Sequence, residues 1–419
     1  MRRVIPMLLA LTLLAGCAGG EVEPGAQVEP IQAEGIVDLF PSQRTETAET
    51  AYADFAVKLL QESRQEGENT LLSPLSVTLA LGMTSAGAGG ETAEEFAALF
   101  GMERGTLSAY CLTLMEDYGD LGGSSETNLV NSLWCDPDLT LDDSFVLTCR
   151  DYFNAQLYHA DLQSGDTVRA INDWVKEATG EKIPTLLDRP LDDQAVLALL
   201  NAVYFKNQFE RPFVTPTHQW YMDFHNADGT VTRPQGMSNG QREEIYLSHD
   251  GGRGVILPYD DGKLGLLLML PDEGVELTQY LSGWDGQTIA GLLRDQTTAK
   301  VDLVVPKFRA EWSGELNDAL KALGLTSAFD PGAADFTPMG HSENGSLFIG
   351  NVIHKTAFEV NEKGTEAAAA TAVIADAGAA MPTDVIFLTF DRPFVYGIVD
   401  LETGAPLFLG TLEQAQSAE

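Results

Sequence analysis

The chain is poor in basic residues and in cysteine, and it lacks the common catalytic and metal-binding patterns. Of its 419 residues, 25 are Lys or Arg against 62 Asp or Glu, and the formal net charge of −37 repels nucleic-acid phosphates and anionic membranes. Nucleic acid is thereby removed from the partner classes. The 4 cysteines form no CxxC pair and no Cys/His metal spacing, so no metal site is read. His159, His218, His225, His249, His341 and His354 occur in no HExxH pattern, there is no Walker A loop, and no nucleophile elbow is read. Carboxylate pairs abound in so acidic a chain and discriminate nothing. These gaps argue against an enzyme and call for no cofactor. The remaining composition, 44% hydrophobic and 8% aromatic, is that of a soluble fold with a substantial core. Its length allows one large domain or two or three ordinary ones.

The first 17 residues have a basic start, a short apolar run and small residues before a cysteine, which reads as an export signal rather than a spanning helix. Leu14-Ala15-Gly16-Cys17 resembles the bacterial lipoprotein box. That implies a signal peptide over 1–16, cleavage before Cys17 and acylation of Cys17, with the mature protein held outside the cytoplasmic membrane by lipid or secreted. Residues 17–48 are rich in Glu, Gly, Pro and Ala with little periodicity and read as a flexible acidic tether, so that the folded domain spans 49–415. With Cys17 assigned to lipid, Cys111, Cys135 and Cys149 remain, so at most one bridge could form; buried thiols are the simpler reading.

Along the domain the pattern is helix-rich first and strand-rich later. Phe55–Glu62 has helical spacing, Ser73-Pro-Leu-Ser76 looks like a cap with proline in the first turn, and Gly87–Gly90 separates that helix from one beginning near Thr92. Asp143–Leu157 and Val168–Thr179 are predicted helices, and Asn128–Trp134 a strand. The unbroken apolar run Val196–Phe205 fits a central strand. Asn226–Thr230 and Tyr259–Lys263 are hairpin signals, while Ser346–Val360, Val385–Val399 and Pro406–Leu412 are strand-like.

Between two of these strand-like runs lies Val360–Ala380, a small-residue segment. On a strand, Thr365, Ala367, Ala369 and Thr371 would face one way and Glu366, Ala368 and Ala370 the other. By propensity alone the same stretch reads as an exposed helix or a linker.

Taken jointly and in order, Leu72-Ser-Pro-Leu-Ser76, Ile171-Asn-Asp-Trp174, Asn201-Ala-Val-Tyr-Phe-Lys206, Phe209-Glu-Arg-Pro-Phe213, Leu257-Pro-Tyr259 and Leu268-Met-Leu-Pro271 form one set of markers. Val305-Pro-Lys-Phe308, Leu320–Leu325, Ile353-His-Lys355, Glu362-Lys-Gly-Thr-Glu-Ala-Ala-Ala369, Asp391-Arg-Pro-Phe394 and Pro406-Leu-Phe-Leu-Gly410 complete it. The set resembles the serpin family over essentially the whole domain.

The resemblance implies an α/β fold of about nine helices and three sheets with an exposed reactive loop at about 362–384. Cleavage of that loop would insert its N-terminal half into the main sheet and trap a serine protease as a covalent acyl complex. It further implies a hinge formed by Glu362, Gly364, Thr365, Glu366, Ala367, Ala368, Ala369 and Ala370. A polar cluster of Ser73, Ser76, Asn201 and His354 would lie beneath the central strands, although a satisfied core histidine accounts for His354 as well. Lys307 would pair with Glu362 near the mouth of the loop's path, and Phe209 replaces the family's usual tryptophan there. Counting along the loop puts the scissile bond at Gly378–Ala379, with Ala377, Ala380 and Met381 as alternative specificity residues. This small, apolar bait suits elastase-like or subtilisin-like enzymes, while Asp376 leaves an acid-specific reading open. The expected partner is a serine protease, met by a monomer that touches membrane only through its lipid. The other reading is a non-inhibitory binding or adhesion protein whose loop is cut as a substrate. Polyanion activation is not expected at this charge.

Overall fold

The computed structural model describes residues 28–35, 44–181, 184–191, 197–214, 218–342, 346–365 and 385–417. In chain order the first half comprises β1 (Glu29–Pro30), α1 (Glu46–Ser63), β2 (Thr70–Leu72), α2 (Pro74–Ala86), α3 (Gly90–Phe100), α4 (Arg104–Tyr118), β3 (Glu126–Cys135), β4 (Leu139–Leu141), α5 (Asp143–Phe153), β5 (Ala155–His159), α6 (Gly165–Ala178) and β6 (Leu197–Gln208). Short strands follow: β7 (Phe224–His225), β8 (Val231–Thr232), β9 (Gly236–Ser238), β10 (Arg242–His249), β11 (Gly252–Pro258) and β12 (Leu264–Pro271). Then come α7 (Leu277–Ser282), α8 (Thr288–Arg294), β13 (Thr297–Pro306), β14 (Phe308–Glu315), α9 (Asn317–Ala322), β15 (Gly340–Ser342), β16 (Ile353–Asn361), β17 (Gly364–Thr365), β18 (Ile386–Thr389), β19 (Phe394–Asp400) and β20 (Pro406–Leu412).

Two large sheets organise the molecule. One has seven strands in the order β1-β5-β3-β6-β17-β16-β14, and the other nine in a path from β18 through β13, β10, β11, β12, β19 and β20 to β2, with β9 also on β13. The second and third sheets expected from the resemblance run together, because β10 pairs with both β11 and β13. Helix α2 packs against both β6 and β20 and is apolar nearly all round, as burial between two sheets requires. The Ser73 side chain caps it by accepting from the Ser76 N–H, and Pro74 occupies its first turn, where no backbone donor is needed.

Three differences from the sequence reading have physical causes. Helix α5 stops at Phe153 rather than Leu157, because Asn154 turns left-handed (φ 46°) and releases the chain into β5. The strand-like run from Ser346 is paired only from Ile353 onward. Within the expected tether, Val28–Gly35 lie on the sheet: Glu29 and Pro30 pair with His159 and Tyr158, the Ile31 N–H donates to Leu157 O (2.8 Å), and Arg150 donates to Ala33 O and Gly35 O. Helix α1 then begins at Glu46, capped by Thr45.

Candidate functional site: the hinge and the slot between central strands

The β16 chain turns through Glu362 and Lys363 and comes back as β17, only two residues long. Gly364 and Thr365 pair with Asn361 and Val360 on one side and with Gln208 and Asn207 of β6 on the other. They form a wedge at one end of the sheet. Beyond the turn, the Phe209 N–H donates to Lys363 O (2.7 Å) and the Phe213 N–H to Glu362 O (2.8 Å), so the turn's carbonyls are held as well. A Cβ at residue 364 would collide with the Asn207 carbonyl oxygen, which is why glycine stands there.

Thr365 is wholly buried, and its Oγ1 shares a 2.6 Å hydrogen bond with the hydroxyl of Tyr259. Burial raises the Tyr259 pKa, so the phenol keeps its proton. Its ring is stacked on Phe209 at 5.3 Å, and Phe209 meets Phe213 edge-on at 5.8 Å. Phe209 thus fills the aromatic position by packing, without an N–H to place. Lys307 Nζ lies 3.3 Å from Glu362 Oε2, and Gln235 Nε2 donates to Glu362 Oε1 (3.3 Å). The Lys307 side chain is 32% exposed, which limits that pair to roughly 1 kcal/mol or less.

Past the wedge, from Lys206 to Leu197 on β6 and from Glu359 to Ile353 on β16, no ladder pair joins the two strands among the described residues. At the far end, a cavity of about 60 Å³ is lined by Ser76, Asn201 and His354 together with apolar side chains of α2. It has room for a few waters. His354 is buried, and its Nε2 accepts from the Ser73 N–H (3.0 Å); burial pushes the imidazole pKa down to about 4. The Ser73 hydroxyl donates to Leu407 O (2.9 Å), tying this spot to the other sheet. Asn201 is bonded elsewhere: its Nδ2 donates to Asn131 Oδ1 (2.8 Å), while its own Oδ1 is buried with no partner among the described residues. The four polar residues expected to cluster therefore divide into a Ser73–Ser76–His354 group and Asn201, which bonds to Asn131; Ser76, His354 and Asn201 line the cavity.

Glu366, Ala367, Ala368, Ala369 and Ala370, the bond Gly378–Ala379 with Ala377, Ala380 and Met381, and Cys17 lie outside the described residues. Cys111, Cys135 and Cys149 are free and buried, and desolvation raises all three thiol pKa values, that of Cys135 to about 12. The sequence reading did not single out Tyr259 or Asn131 for any role. Tyr259 stands in a marker motif, but only the approach of β17 gives its hydroxyl a partner. A G-x-S-x-G spacing also occurs, at Gly236–Gly240, and it is no nucleophile elbow. Ser238 ends strand β9, its Oγ accepts from the Gly240 N–H (3.3 Å), and the chain continues into β10 rather than a helix.

The family model described as Serpin (serine protease inhibitor) matches residues 50–415. The chain is a member of the serpin family. A serpin-like protein of Thermococcus kodakarensis is 29% identical over 428 residues, covering 98% of each chain, and human neuroserpin is 30% identical with 90% of this chain and 95% of its own covered. Among solved structures, the thermophilic serpin tengpin in its native state superposes with a TM-score of 0.85 at 30% identity, covering 93% of this chain and all of its own. Tengpin in its latent state gives 0.76 at 28% identity, covering 91% of this chain. By this measure the serpin is more similar to tengpin's native structure than to its latent one.

Proposed function

We propose that this serpin inhibits serine proteases by being cut once, with loop insertion following cleavage. The observation that carries the reading is the β17 wedge: Gly364 and Thr365 are seated between β6 and β16, which are joined by no other ladder pair among the described residues. A chain continuing from Thr365 in the same register would run antiparallel to both walls. Thr371 would then come opposite Asn201 on one side and His354 on the other, where its hydroxyl could supply the donor that Asn201 Oδ1 lacks. The residues between are Glu366 and the alanines 367–370, with the small inward set 367 and 369 on the same side as buried Thr365.

In the trapped complex the protease serine oxygen bonds to the carbonyl carbon of Gly378, the Gly378–Ala379 peptide bond breaks, and Ala379 leaves as a free amine. Insertion then carries the acyl ester away from the site of attack before water can hydrolyse it. The bait supports shallow-pocket enzymes of elastase or subtilisin type. Export and lipid anchoring at Cys17, a monomeric state and action outside the cytoplasm belong to the same proposal.

The test is to mix the purified protein with elastase or subtilisin and resolve the products on denaturing gels. An adduct that survives boiling is expected, and Thr365→Arg should turn the inhibitor into a cleaved substrate, because a long charged side chain cannot enter the buried position of Thr365. Clean cleavage of the unaltered chain without adduct would overturn the reading in favour of a binding protein.

A further inference from the structure

Phe387 is the most exposed of the large apolar side chains among the described residues, at 68%. It stands on β18, the edge strand of the nine-stranded sheet, which starts shortly after residues 366–384. Leu388 beside it is 1% exposed, so strand alternation turns Phe387 outward. On the paired strand β13 the residue opposite is Asp302, whose Oδ2 accepts from Gln241 Nε2 (2.7 Å). The turn holding Gln241 is fastened to β13 by Asn239, which donates to Val301 O and accepts from the Leu303 N–H. Val214, 51% exposed, packs close to Gly240 of that turn. The fold thus presents an exposed aromatic side chain on rigid backbone, the side-chain type that anchors protein interfaces.

We infer that Phe387 is a docking anchor for the protease that attacks the loop, contacting it on the side of the scissile bond that becomes the leaving amine. The inference rests on the inhibitory reading above. Phe387 lies nine residues beyond Gly378, or six beyond Met381, so the extended chain between them spans at most about 30 Å or about 20 Å. A protease domain of roughly 230 residues has a radius of gyration near 17 Å, so one clasped on either bond has its body within reach of β18. The charge of −37 favours a partner with a basic rim around an apolar patch.

The experiment compares the full chain with Phe387→Ala and Phe387→Tyr, each checked for an unchanged melting curve. Binding of subtilisin whose active-site serine is replaced by alanine is measured by calorimetry, and the association rate constant of active subtilisin by progress curves. Docking at Phe387 predicts a dissociation constant weakened about tenfold and association slowed about tenfold in Phe387→Ala, with Phe387→Tyr close to the parent. The yield of adduct per cleavage should stay the same, since insertion does not involve β18. Equal binding by all three proteins overturns the inference, as does sedimentation showing that Phe387 is covered by a second copy of the chain. Failure of the inhibitory reading appears separately, as the absence of adduct from the unaltered chain, and the binding arm still decides whether Phe387 docks the protease.

Discussion

The Tyr259 hydroxyl is bonded to Thr365 Oγ1, and its ring is stacked on Phe209, so one side chain joins β17 to the aromatic packing beneath it. Tyr259→Phe keeps the stack and leaves the threonine hydroxyl buried without that partner. We expect a loss of roughly 1–2 kcal/mol in the stability of the intact protein by urea unfolding, with faster amide exchange at Thr365. His354 gives a pH signature. Its folded pKa of about 4 lies below the ordinary 6.5, so below pH 6.5 the unfolded chain takes up a proton that the folded chain refuses. The stabilising contribution of the neutral ring is complete above pH 6.5 and is lost as pH falls towards 4, amounting to about 3 kcal/mol at the acid end. His354→Gln should remove this component, so the fall in stability between pH 7 and 5 is expected to be shallower in the variant. An equal slope would show that His354 does not titrate in this way.

Among the elements, the edge strand β1 and the wedge β17 show what the sequence could not announce. Two residues of strand have almost no signature, and both pairs are set by what they dock against. β1 is held by the open edge of β5 and by the Arg150 guanidinium, which grips two carbonyls beyond it. Arg150→Ala is expected to raise amide exchange at Glu29 and Ile31 at least several-fold while leaving the exchange of β3 and β6 unaltered. A uniform change would mean that the arm is not a local unit. Gly364 is different, because the residue type itself is legible: only glycine permits the close approach to β6, although which strand approaches is not written locally.

At the scale of the whole molecule, the slot between β6 and β16 is the feature with the largest consequence. Each wall carries backbone donors and acceptors that an inserted third strand would pair, at roughly 1 kcal/mol net per hydrogen bond, and on the inhibitory reading the alanines between Glu366 and Thr371 would add buried apolar surface. On the inhibitory reading, the loop takes that place once it has been cut. Cleavage at the loop should therefore raise the melting temperature by about 10 °C or more in a calorimetric scan of nicked against intact protein. Superimposable transitions would remove the basis for insertion.

The sequence by itself determined the family and the α/β class, because these depend on residue type, order and spacing. The central strand near Val196–Phe205 and the hairpins at Asn226–Thr230 and Tyr259–Lys263 were legible for the same reason: apolar runs and glycine-bearing turns act over a few residues. Only the tertiary structure decided that Tyr259 meets Thr365, that Asn201 turns to Asn131 rather than His354, and that Glu29 and Pro30 join the sheet. Each of those outcomes pairs residues far apart in the chain, and such pairs are chosen by which surfaces packing brings together.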